Sequence, residues 1–142
     1  MKPVNELLNK QGGNVFHVAP DATVFDGLKL LATHGVGAMV VLEKGALVGI
    51  FSERDYTRKV ALQGKNSKET QIAEIMTREV ITVPPTAGTR VCMSLMSKNK
   101  IRHLPVVEAG KVIGLISIRD IMDDIITDHE QTISQLQTYI TG

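Results

Sequence analysis

The 142-residue sequence has no tryptophan, two tyrosines and three phenylalanines, so its core must rest on aliphatic side chains and six methionines. Cys92 is the only cysteine. It excludes an intrachain disulfide and suits a reducing compartment, with the cytoplasm as the expected location. Neither sign of charge is in excess: 16 Lys and Arg face 15 Asp and Glu, for a net charge of +1. That balance gives no general pull toward nucleic acid or a membrane surface, so any anion site must be local. No apolar run reaches the length of a membrane span, because the most apolar stretch, AMVVLEKGALVGIF, is broken by Glu43, Lys44 and Gly45. The opening MKPVNELLNKQGGN lacks the apolar segment of a secretory signal. A GxxxxGK phosphate loop is absent, which excludes nucleotide hydrolysis by that machinery. GVGAMV, at 35–40, follows a helical pattern and enters a strand, the reverse of the dinucleotide fingerprint. His17, His34, His103, His129 and Cys92 show no metal-ligand spacing, so no metal is expected. No nucleophile, base and orienting group fall together, so an enzyme is not expected and no catalytic residue is assigned.

What the sequence does contain is an internal repeat. The segment from Val15 lies without a gap over the segment from Val80, a shift of 65 residues. Identities include Val18/Val83, Pro20/Pro85, Leu30/Leu95, Val41/Val106, Gly49/Gly114, Ser52/Ser117, Arg54/Arg119 and Asp55/Asp120. They thicken toward the end of each copy, at GIFSERD and GLISIRD. Two copies of one supersecondary unit are therefore expected.

Each copy reads as β-α-β-β-α. A β-rich run (VFHV, VITV) ends at proline, which cannot continue a ladder. A helical pattern follows, through Val24, Leu28 and Leu31 in the first copy and Val91, Leu95 and Met96 in the second. Two apolar runs then flank KGA or AGK, the mark of a hairpin, and a second helix starts at Ser52 or Ser117. The expected division is residues 1–64 for the first copy with an N-terminal helix, 65–79 for a linker and short helix, and 80–142 for the second copy with an extended C-terminal helix. Neither copy has enough residues to bury its apolar faces alone. An α+β fold is expected, with the copies packed about a pseudo-twofold axis and two clefts between them. In the tail, Ile121, Met122, Ile125, Ile126, Ile133, Leu136 and Ile140 continue at helical spacing. That stripe either caps the chain's own core or forms a dimer surface.

Ser52 with Asp55, and Ser117 with Asp120, have the spacing of a helix capping box, which needs no ligand. A second role arises from their duplication at related clefts. Gly49 and Gly114 allow close approach, and Arg54 and Arg119 stand beside the acids at a helix N-terminus. A carboxylate for two ribose hydroxyls with a guanidinium for phosphate suits a nucleoside monophosphate.

In their order and duplication, EIMT at 74–77, RHLPVVE at 102–108, GIFSERD and GLISIRD resemble the cystathionine-β-synthase (CBS) domain pair, or Bateman module. The resemblance spans roughly Pro3 to Ile126, and the chain is similar to stand-alone pairs with no catalytic, channel or DNA-binding domain attached. It implies a regulatory module for signal transduction that holds adenosine-containing ligands in the clefts. AMP is expected first, with ADP, ATP, NAD or S-adenosylmethionine as alternatives. By that resemblance, one cleft comprises Asn14, Phe16, His17, Ala38, His103, Ser117, Arg119 and Asp120, with His103 near the phosphate. The other comprises Ser52, Arg54, Asp55, Ile81, Thr82 and Arg102. Asp55 and Asp120 take ribose hydroxyls, and Ser52 and Ser117 assist. One position departs from the pattern: His17 stands where Thr82 stands in the second copy. Arg58 and Lys59 either add charge for phosphate or form a solvated helix face. The expected partners are a nucleotide, a second copy of the chain and an unidentified regulated protein, without nucleic acid or membrane. The alternative is a ligand-free structural or dimerisation adaptor.

Overall fold

The computed structural model describes residues 2–10 and 15–141. Along the chain run α1 (Val4–Lys10), β1 (His17–Val18), α2 (Val24–His34), β2 (Ala38–Glu43), β3 (Ala46–Ser52) and α3 (Glu53–Tyr56). A π-helical turn (Thr57–Ala61) follows, then α4 (Ile72–Ile75), α5 (Thr89–Asn99), β4 (His103–Glu108), β5 (Lys111–Ser117) and α6 (Ile118–Thr141). The fold is α+β, two copies of one unit meeting through β3 and β5 about a pseudo-twofold axis. Among the described residues, no helix is long and apolar enough to cross a membrane.

β1 pairs in parallel with β2, and β2 pairs antiparallel with β3. β4 and β5 repeat that hairpin, but the expected strand VITV shrinks to a single bridge from Val83 to Val106. The reason is one residue. Val83 N–H donates to Pro105 O at 3.0 Å and Val107 N–H donates to Val83 O at 2.9 Å. The next rung would need an N–H from Pro105, which has none. Both hairpins turn in two residues rather than the three read from KGA and AGK. Lys44 and Gly45 have φ of 51° and 81°, and Ala109 and Gly110 have 51° and 79°. Two successive positive φ angles make a type I′ turn, whose twist matches that of the strands.

The cores repeat at the same shift. Val18, Leu31, Met39, Val41 and Phe51 fill the first, and Val83, Met96, Leu104, Val106 and Ile116 fill the second. In α5 the buried face is Thr89, Cys92 and Met96, the counterparts of Val24, Gly27 and Leu31 in α2. Val91, read as part of the apolar face, is exposed instead.

Each core is completed by the segment that leads into the other copy. Ile72, Ile75 and Met76, which lead into the second copy, lie in the first core. Val4, Leu7 and Leu8, which lead into the first copy, lie in the second core. The packing thus crosses the division drawn at residues 64 and 80. Two glycines make room for the crossing. A Cβ on Gly49 would sit 2.7 Å from Met76 Sδ and 2.9 Å from Thr77 O, and one on Gly114 would collide with Leu8. Thr77 further ties itself to β3 through Ile50, each N–H donating to the other's carbonyl at 2.9 Å.

α6 extends far beyond the counterpart of α3. Its inner face packs Ile121 into the second core, with Ile118 and Ile125 against it. Met122, Ile126, Ile133 and Leu136 are exposed. The side chain of Ile140 lies outside the described residues.

Candidate functional site

The site starts from the ends of β3 and β5. Ser52 is the last residue of its strand, extended at φ −135° and ψ 161°, and its hydroxyl accepts from Asp55 N–H at 3.1 Å. Asp55 Oδ2 in turn accepts from Ser52 N–H at 3.0 Å, closing the capping box. Ser117 and Asp120 do the same, with Ser117 N–H to Asp120 Oδ2 at 2.8 Å and Asp120 N–H to Ser117 Oγ at 3.1 Å. Both acids are thereby fixed at helix starts on equivalent ends of the two hairpins.

Around Asp55 the two copies enclose a cavity of about 440 Å³. Ile50, Val80, Ile81 and Ile101 supply apolar wall, and Gly37, Ser52 and Thr77 lie beside it. Arg54, Arg58, Lys59, Lys100 and Arg102 face it against Glu53, Asp55 and Glu79, an excess of cations in a chain that is nearly neutral overall. Asp55 is only 8% exposed. Its Oδ1 lies 3.2 Å from Lys59 Nζ and accepts from Thr77 Oγ1 at 3.4 Å. Its Oδ2 also accepts from Ser52 Oγ at 3.0 Å. Lys59 Nζ donates a second time, to Ile75 O at 2.9 Å. Arg54 reaches across the interface and donates to Lys100 O at 3.3 Å.

His103 begins β4 opposite Ser117, the place that Ala38 holds opposite Ser52. Its ring stands over Gly37, 3.9 Å from where a Cβ would be. The sequence reading placed it in the Asp120 cleft, and the structure also sets it on the lining of the Asp55 cavity. Burial pushes its pKa below the ordinary histidine value; Asp120 opposes that shift, while Arg102 and Arg54 add to it. A histidine held neutral in the fold but free to protonate when unfolded makes the unfolded chain bind more protons. Stability from this group is therefore complete above about pH 6.5 and is lost as pH falls through that value toward the depressed folded pKa. His103→Gln is expected to remove this component. Thermal unfolding across pH 7.5 to 5 should show wild type falling relative to the variant, and a pH-independent difference contradicts the burial of a neutral ring.

Of the residues read from sequence for the Asp55 cleft, Ser52, Arg54, Asp55, Ile81 and Arg102 line one cavity, whereas Thr82 is exposed and not among its lining. For the Asp120 cleft, Ser117, Asp120 and His103 gather at the β4–β5 end, and Arg119 is exposed. Ala38 is buried in β2, and His17 is exposed with its Nδ1 3.3 Å from Val15 O. Phe16 stacks on His34, with ring centroids 3.8 Å apart and planes within 6°. Asn14 lies outside the described residues.

Sequence reasoning missed the engagement of Asp55 by Lys59 and Thr77. The i, i+4 spacing of Asp55 and Lys59 was the available signal for the first. Lys100 was missed as well. It stands where Gly35 ends α2, and it adopts the same left-handed conformation at φ 55° while facing the cavity. Comparing the repeat position by position shows that substitution of a lysine for a glycine.

The model of the CBS domain matches residues 4–62 and again 72–127. A mitochondrial CBS domain-containing protein of Arabidopsis thaliana is 38% identical, over 98% of this chain and 72% of its own length. The crystal structure of a CBS-domain-containing protein from Agrobacterium tumefaciens superposes with a TM-score of 0.82 at 35% identity, covering 87% of this chain and 98% of that one. A CBS domain pair solved in complex with 5′-methylthioadenosine and S-adenosyl-L-methionine gives a TM-score of 0.80 at 27% identity, covering 90% of this chain and 98% of that one. With both copies matched in sequence and in fold, the chain belongs to the CBS domain family.

Proposed function

We propose that the chain is a regulatory module that binds an adenine nucleotide between its two copies. The observation that carries this reading is the Asp55 cavity. It combines an apolar wall for a base, a carboxylate for ribose hydroxyls and five cations for phosphate, contributed by both copies. Its volume of about 440 Å³ lies within the roughly 300–1,000 Å³ usual for small-molecule sites. The related pair bound to methylthioadenosine and S-adenosylmethionine supports the adenosine class. The cationic lining favours a phosphorylated member of it, AMP first, with ADP, ATP or NAD as alternatives. Asp55 and Asp120 are the proposed ribose acceptors, with Ser52 and Ser117 beside them and His103 near phosphate in the Asp120 cleft.

Since the wall comes from both copies, a ligand there acts on their relative packing. It shifts that packing only to the extent that it binds one arrangement better than another. The altered surface is what a partner protein reads. Binding rather than catalysis fits a site that has phosphate and ribose partners but no nucleophile with its base. A single buried cysteine fits the cytoplasm.

Thermal unfolding with adenosine, AMP, ADP, ATP, NAD and S-adenosylmethionine tests the reading. A ligand present at a hundred times its Kd adds about 2.7 kcal/mol, a rise of several degrees. No rise with any of them at millimolar concentration contradicts it.

One observation favours the second reading, a dimerising adaptor. Met122, Ile126, Ile133 and Leu136 on α6 are all more than half exposed, and their spacing suits a helix–helix seam with a second copy. That reading gains if the panel is silent, and a homodimer is compatible with both.

A further inference from the structure

We propose that Lys59 is a charge-selective latch on the Asp55 cleft, so that ribose gains access to Asp55 only when the ligand also brings a phosphate. This rests on nucleotide binding at that cleft and goes on to name which adenosine compounds it admits. Asp55 already has a donor for each oxygen. Ser52 N–H and Oγ–H serve Oδ2 at 3.0 Å each, and Lys59 Nζ and Thr77 Oγ1 serve Oδ1 at 3.2 and 3.4 Å. The carboxylate is nearly buried, so those bonds are not exchanged freely with water. A ribose arriving there finds its acceptor taken. Displacing the ammonium breaks its pair with Asp55. The lysine side chain is 45% exposed and can be rehydrated, but another anion replaces the lost carboxylate contact more fully than water does. Lys59 is itself a lining residue of the cavity, its Nζ anchored by Ile75 O at 2.9 Å. It needs only to swing from Asp55 to a phosphate on the same ligand. An uncharged nucleoside offers no such exchange.

The other copy is the internal control. At a shift of 65 residues the counterpart of Lys59 is Asp124. Asp124 turns into its own core at 2% exposure, where its Oδ2 accepts from Lys2 N–H at 3.1 Å. Among the described residues no lysine is ion-paired with Asp120, whose Oδ2 accepts from Ser117 N–H. The shared motif offers one acid already bridged by a lysine and one that is not, which confines the latch to the Asp55 cleft.

The test is titration calorimetry of the full chain carrying Asp120→Asn, so that the Asp55 cleft is read alone, with adenosine, AMP and ATP at fixed ionic strength. The nucleotides are expected to bind at least about tenfold more tightly than adenosine. Adding Lys59→Met is expected to strengthen adenosine and weaken ATP, each by about tenfold, so that the preference collapses. Lys59→Arg, which keeps the charge, is expected to keep the preference. An adenosine-to-ATP ratio unchanged by Lys59→Met, with binding intact, overturns the latch alone. Equal weakening of all three compounds does the same. Absence of binding by every compound, with or without Lys59, overturns the nucleotide reading of the cleft and the latch with it.

Discussion

Removing residues 1–10 is expected to loosen the second copy of the repeat while the first copy, next to the cut in sequence, keeps its core. Val4, Leu7 and Leu8 are buried among Val83, Leu104, Val106, Ile116 and Ile121. Burying each is worth about 1.5–3 kcal/mol. Their joint loss approaches the roughly 5–15 kcal/mol that holds a whole domain together. The cut also strips the bonds from Val4 N–H to Ala87 O at 2.9 Å and from Asn5 N–H to Pro85 O at 3.1 Å. The first core has its own closing segment in Ile72, Ile75 and Met76 and loses none of its members. Hydrogen exchange read by mass spectrometry should show protection falling across 83–121 and persisting across 38–60. Protection retained in the second copy contradicts the packing of α1. Equal loss in both shows that the two cores open as one unit.

Asp120→Asn should abolish most nucleotide binding at its cleft and leave the chain folded. An asparagine keeps the shape of the side chain and an oxygen to accept from Ser117 N–H. The change to the helix start is then limited to a lost charge near its N-terminus, about 0.3–1 kcal/mol. Ribose hydroxyls donating to a carboxylate form charge-assisted bonds of about 1.5–3 kcal/mol each, so losing the charge from a pair weakens binding on the order of a hundredfold. Calorimetry on Asp120→Asn and Asp55→Asn in parallel separates the clefts, and thermal unfolding without ligand measures the cap. In the Asp55→Asn background, nucleotide affinity that survives the addition of Asp120→Asn while the melting temperature drops would assign Asp120 to the capping box and nothing more.

Much of this was legible because duplication makes the sequence check itself. The two-strand hairpins, the helix starts at Ser52 and Ser117, and the pairing of GIFSERD with GLISIRD all follow from local spacing repeated at one offset. The misses have a common cause in interactions that local patterns do not carry. Val91 fits a helical stripe, but the face of α5 is set by its neighbours, and the offset from Val24, Gly27 and Leu31 points instead to Thr89, Cys92 and Met96. VITV has the composition of a strand, yet its partner is a proline 24 residues on from Ile81, and only the register reveals the missing donor. The crossing of α1 and the segment at 72–76 between cores left no periodic trace at all. Its sole sign was a pair of glycines, Gly49 and Gly114, which look alike in sequence and prove to be the seats of Met76 and Leu8. At the site, the two acids were visible as a pair, but opposite charges at Lys59 and Asp124 make their surroundings unequal.

The crossed cores also impose an order on synthesis. The first copy can close as soon as Met76 has been made, because its last segment follows its strands directly. The second copy uses α1, which is made ahead of the first copy. Leu8 is complete about 110 residues before Ile121, its neighbour in the finished core. At roughly 5–20 residues per second, the apolar side of α1 waits on the order of 5–20 s for its partners. For that interval the nascent chain carries Val4, Leu7 and Leu8 without the second core that buries them. α1 is buried only when β5 and α6 arrive.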